Sequence, residues 1–116
     1  MRVLITARVD VAPDKRDAAL EGAKALIEET RARPGCGAYH WTADPFVSGR
    51  IHVFEAWLSE ADFAAHLSGP SYADMLAHLG AVGIIDSQAH KHRVDHSEPV
   101  YDPSGQPRAD FFTAKD

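Results

Sequence analysis

Cys36 is the only cysteine among 116 residues, which excludes an internal disulfide and leaves a thiolate zinc site without a second sulfur ligand. It is expected to be a small packing residue, with a reactive thiol as the other reading. Basic side chains are also in deficit, with 12 Lys and Arg against 17 Asp and Glu and a formal charge of -5. Neutralising phosphates needs the opposite balance, so neither nucleic acid nor an anionic membrane surface is an expected partner. No apolar run approaches bilayer-spanning length, and the short run Val3-Leu4-Ile5 is too brief for a signal peptide, so a cytoplasmic location is expected. A phosphate-cradling glycine loop, a nucleophile elbow and a dinucleotide fingerprint are all missing. What remains is 45% hydrophobic and 25% charged, the mixture of a soluble globular chain with one core.

Residues 2 to 11 alternate, with Val3, Ile5, Ala7 and Val9 on one side and Leu4, Thr6, Arg8 and Asp10 on the other, which predicts a strand. Pro13 suits a first helical turn, Asp14 and Asp17 suit a helix N-terminus, and Arg31 and Arg33 suit its other end. Ala19, Ala23, Leu26, Ile27 and Thr30 share a stripe, so residues 14 to 33 read as an amphipathic helix stopped by Pro34-Gly35. Residues 36 to 43 and 50 to 58, rich in aromatic and β-branched side chains, flank the turn-like stretch Asp44 to Gly49 and form a hairpin. Ser59 with Asp62 three residues on marks a helix start. Pro70 breaks or restarts that helix, and Tyr72, Met75, Leu76 and Leu79 continue it to Gly80 and Gly83. Residues 84 to 95 alternate again as a fourth strand.

The order is βαββαβ, an α+β ferredoxin-like domain over residues 1–96 with a four-stranded antiparallel sheet and two helices on one face. Residues 97–116, with three prolines and no sustained period, are expected to be a tail or an arm that embraces a partner. Leu4, Thr6, Phe54, Ala56 and Leu58 have nothing from the same chain above them, so the open face is expected to pair with itself in a homodimer. His40 and His52 fall on that face, and Arg8 there is expected to meet a carboxylate across the interface.

Several residues could carry chemistry. Val53, Glu55 and Trp57 project from one strand face, and hairpin pairing of Trp41 with Val53 would set Tyr39 beside Glu55. A carboxylate among aromatic rings would have a raised pKa and suit general acid or base work under a pocket. The plainer reading is that Glu55 bonds a backbone amide or a helix side chain. His66, three residues after Phe63, would aim at the sheet near Trp57 as a proton acceptor or as a satisfied core histidine. Tyr72, Met75 and Leu76 are either core or substrate contacts. His90, His92 and His96 alternate along the fourth strand, but no carboxylate or thiol completes a site, so no metal is expected.

The stretches Arg33-Pro34-Gly35-Cys36, Tyr39, Asp44-Pro45, Phe54-Glu55-Ala56-Trp57 and Phe63-Ala64-Ala65-His66-Leu67 together resemble the antibiotic-biosynthesis monooxygenase family over roughly residues 2 to 95. The resemblance implies a dimeric α/β barrel with a pocket between sheet and helices, and its characterised members include cofactor-free oxygenases of quinols and polycyclic aromatics. Where the aromatic-oxidising branch carries an asparagine, a tyrosine and an arginine, this chain has Val53, Phe63 and Ala77; of that set only Trp57 carries over. The leading expectation is a cofactor-independent monooxygenase for a hydroxylated aromatic or quinol-like molecule. In it Glu55, His66 and Trp57 are catalytic, and Tyr39, Trp41, Val53, Phe63, Leu67, Tyr72, Met75 and Leu76 contact substrate. The alternatives are a non-catalytic dimer that binds a small metabolite and a haem-binding relative with His66 as axial ligand.

Overall fold

A computed structural model of the chain describes residues 2–113. Its strands are β1 (Arg2–Val11), β2 (Cys36–Ala43), β3 (Arg50–Trp57) and β4 (Ile84–Val94), and its helices α1 (Arg16–Arg31), α2 (Glu60–Leu67) and α3 (Pro70–Val82). The strands form one antiparallel sheet in the order β2-β3-β1-β4, the ferredoxin-like arrangement of two βαβ halves. Pairing sets Val3, Ile5, Ala7 and Val9 opposite Trp57, Glu55, Val53 and Ile51. One strand face therefore collects the apolar residues of both, as period-two geometry requires.

Pro13 opens a single 3-10 turn, Pro13–Lys15, and the α-helix proper begins at Arg16, two residues later than its charge pattern suggests. Ala19, Ala23 and Thr30 form its buried stripe. Gly22 lets α3 come close: a Cβ there would meet His78 Cε1 at 2.7 Å, and His78 Nε2 donates to the Ala19 carbonyl at 2.9 Å. Pro70 divides the second helical segment into α2 and α3, so three helices rather than two cover the sheet. The Ser59 hydroxyl caps α2, accepting from the Asp62 amide at 3.1 Å. Beneath that first turn runs Gly35, whose φ is +81° and whose missing Cβ would overlap the Asp62 carboxyl; only glycine fits a left-handed residue packed this closely.

All three clusters of buried apolar residues are built from residues 3 to 82. β4 adds nothing to them: each of its residues is exposed except the half-buried Val94. It is held by its ladder with β1 alone on one edge. The face away from the helices is also uncovered, with Phe54 39% and Leu58 52% exposed. There His40 stacks on Phe54, His52 bonds Asp44 and His92 bonds Thr6.

Two expectations about polar residues are corrected. Arg8 finds its carboxylates within the chain, Asp10 beside it and Asp86 on the neighbouring strand. His96 does not share the strand with His90 and His92, because β4 ends at Val94 and His96 bonds Glu98 at 2.9 Å. No helix of the described residues is long and apolar enough to cross a membrane, and among them no group of three or more His, Cys, Asp and Glu is placed to hold a metal ion.

Candidate functional site

Between the sheet and the helices lies a cavity of about 250 Å³. Its floor is Ile5, Ala7 and Val9 of β1, Val53 and Glu55 of β3, and Tyr39 and Trp41 of β2. His66 of α2 and Tyr72, Met75, Leu76 and Leu79 of α3 form the roof. The remaining side is β4, where Ile84, Ser87, Gln88 and Ala89 border a strand that no helix covers. Apolar walls with a few convergent polar groups are the usual make-up of a small-molecule site.

Those polar groups converge on one carboxylate. Trp57 Nε1 donates to Glu55 Oε1 at 3.0 Å, and His66 Nε2 lies 3.8 Å from the same oxygen, a close contact longer than a hydrogen bond. The Glu55 side chain is 12% exposed and is tied to a side chain, neither to backbone nor to solvent. Burial pushes its pKa up, and the indole N–H, which favours the charged form, partly offsets this.

The His66 imidazole is enclosed by rings. It stacks on Trp57 with centroids 4.6 Å apart and meets Tyr39 and Tyr72 edge-on at 5.7 and 5.5 Å. Burial, with the Arg33 charge behind it, holds its pKa down to about 4, so the ring is neutral at physiological pH. Its Nδ1 is buried and has no partner among the described residues, as is true of Trp41 Nε1. Tyr39, pushed up to about 12 by burial and by the Glu55 charge, keeps its proton and can donate but not accept one as a base. The arrangement thus offers a neutral imidazole able to take a proton, a carboxylate beside it to stabilise the resulting cation, and unpaired ring nitrogens, all on the wall of a mainly apolar cavity.

Tyr39, Trp41, Val53, Glu55, His66, Tyr72, Met75 and Leu76, which the sequence singles out, come together around this cavity. Pairing of Tyr39 with Glu55 and of Trp41 with Val53 is as the hairpin requires. Trp57 is fully buried and reaches the cavity only through Glu55 and His66. Phe63 and Leu67 face a different, larger groove between α2 and β4, because α2 is short and its Phe63–Leu67 edge lies one side of His66. Sequence reasoning did not name the β1 floor or the β4 wall, although the β1 alternation carried the signal for Ile5, Ala7 and Val9. Cys36 is half-buried, its thiol pushed up by burial and by Glu55, which suits packing better than reactivity. For haem, the fit fails: Nε2 of His66 is turned toward Glu55, and a cavity of about 250 Å³ is too small for a macrocycle.

The fold recurs among solved structures. A Deinococcus radiodurans protein bearing the antibiotic biosynthesis monooxygenase description aligns with a TM-score of 0.77 at 15% identity, over 84% of this chain and 96% of its own. Rv0793 from Mycobacterium tuberculosis aligns at 0.72 with 25% identity, over 84% of this chain and all of its own. Among curated proteins, sll1783 from Synechocystis is 24% identical over 74 residues, 64% of this chain; the chain spans about half the length of that relative. Residues 2–78 match the antibiotic biosynthesis monooxygenase family itself, and the chain belongs to that family.

Proposed function

We propose that this protein is a cofactor-independent monooxygenase acting on a hydroxylated aromatic or quinol-like molecule, and that it works as a homodimer joined through its open sheet face. Family membership supports small-molecule oxygenation as the class of activity. The observation that carries the finer reading is the contact of buried His66 with Glu55 at 3.8 Å on the wall of an aromatic cavity. In this reading the neutral imidazole takes a phenolic proton, and the Glu55 carboxylate stabilises the imidazolium. Trp41 Nε1–H and the Tyr39 hydroxyl are available to the substrate oxygens. The electron-rich anion then reduces O₂ directly: one hydroquinone and one O₂ give one hydroxyquinone and one water, so one oxygen atom enters the ring and the other leaves as water. The protein's share is to bind, deprotonate and exclude water.

Oxygen uptake with a panel of hydroquinones and anthrones tests this. The expected result is one O₂ consumed per substrate with no peroxide released, and a fall in kcat of about 100-fold or more in His66→Ala and Glu55→Gln. No turnover above the uncatalysed rate would refute catalysis. Saturable binding of the same compounds without turnover would support instead a protein that holds a small metabolite, a reading favoured by the Trp57 bond that already occupies one Glu55 oxygen.

A further inference from the structure

Residues 95–113 make an ordered arm. Glu98, its side chain only 5% exposed, accepts from the Phe112 amide at 2.8 Å, the Thr113 amide at 2.9 Å and the Thr113 hydroxyl at 2.7 Å. Asp102 holds a turn through the Ser104 and Gln106 amides, and Arg108 pairs with Asp110 while lying over the Phe112 ring. Every hydrogen bond, ion pair and ring contact found for these residues among the described residues is made within the arm. It leaves Val100, Tyr101 and Phe111 61%, 62% and 67% exposed. The radius of gyration is 16.5 Å, against about 13 Å for a compact chain of this length. A self-bonded segment that projects with its large apolar residues outward is shaped to cover another surface.

A surface of matching chemistry exists on the same fold. The groove between α2 and β4, about 570 Å³, has Val3, Phe63, Ala64 and Leu67 as its apolar lining, Lys91 and Arg93 on its β4 side, and a single carboxylate, Glu60, at the start of α2. Leu67 is 42% exposed, and neither Lys91 nor Arg93 has an ion-pair partner among the described residues. The arm offers the complement, since Asp95, Glu98, Asp102 and Asp110 outnumber its single Arg108, and Asp110, which shares that arginine, stands next to the exposed Phe111.

We propose that the arm of one copy seats in the α2–β4 groove of a second copy, with Phe111 on Leu67 and Phe63 and Asp110 facing Lys91 and Arg93. Two such contacts, related by a two-fold axis, clasp a dimer. The clasp adds to the sheet-face pairing proposed above and rests on it only for the existence of a second copy. Sedimentation equilibrium on the full chain tests it, with Phe46→Asp, at a body residue 94% exposed, as the control. Phe111→Asp and the double reversal Lys91→Glu/Arg93→Glu should each weaken self-association by about tenfold or more. Adding Asp110→Lys to the double reversal should restore at least part of the loss. Unchanged association in Phe111→Asp, additive losses without rescue, or a wild-type chain that sediments only as a monomer would overturn the clasp. Dissociation by Phe54→Asp alone, with arm variants silent, would leave sheet pairing standing and the clasp refuted. Failure of oxygen uptake bears on neither.

Discussion

At the residue scale, His66 and Glu55 carry opposite pH signatures. The unfolded chain binds a proton at His66 below its ordinary value of 6.5, whereas the folded chain resists until about 4. Stability at this residue is therefore full above pH 6.5 and lost as pH falls toward 4. Glu55, its folded pKa raised, works the other way: its contribution is present at low pH and shrinks as pH rises through the carboxylate range. Between pH 7 and 5 the histidine should cost wild type about 2 kcal/mol that a His66→Gln variant does not lose. Urea titrations of both proteins at the two pH values check this, and parallel pH dependence would sink it.

The proposed catalysis would inherit the same value. With His66 as proton acceptor, kcat/KM should stay flat on acidification to near pH 5 and fall only around 4, where an unshifted histidine would fall below 6.5. A pH profile with an acid limb near 6.5 would assign the proton transfer elsewhere. Nearby, Trp57 links packing to chemistry, being fully buried while its N–H holds Glu55. Trp57→Ala should remove about 3 to 5 kcal/mol of stability.

At the element scale, what positions His66 is the start of α2. Ser59 caps it, Gly35 passes beneath it, and the Arg33 guanidinium donates to the Ala65 carbonyl at 3.2 Å. Ser59→Ala should cost about 1 kcal/mol. Gly35→Ala should cost more, since the left-handed φ and the Asp62 carboxyl both oppose a Cβ. Thermal unfolding of the two variants checks the order, and equal losses would contradict it. The Ser59 cap and the Pro70 restart were legible from residue type alone, because both act on the local backbone. The need for glycine at residue 35 was not, because it arises from a loop and a helix 27 positions apart meeting in space.

At the scale of the whole molecule, the sheet is covered on one face over three of its four strands. β4 and the open face together present Phe54, Leu58, Ile85 and four histidines, His40, His52, His90 and His92, to solvent. Pairing of that face with a second copy should be abolished or strongly weakened by Phe54→Asp, with the sedimentation coefficient falling to that of a monomer. An unchanged coefficient would place self-association elsewhere.

The sequence by itself determined the βαββαβ order, the hairpin that sets Tyr39 beside Glu55, and the collection of one acid with several rings on one strand face. Each of these follows from periods of two and 3.6 residues and from turn and cap chemistry, which act over a few positions. Only the tertiary structure decided which rings border space and which fill it: Trp57 packs, Phe63 borders the separate groove between α2 and β4, and Tyr39, Trp41 and Tyr72 face the cavity. Periodicity says to which side a side chain points; whether it meets a void or another atom depends on how far the helices stand from the sheet, a distance set jointly by residues remote in the chain.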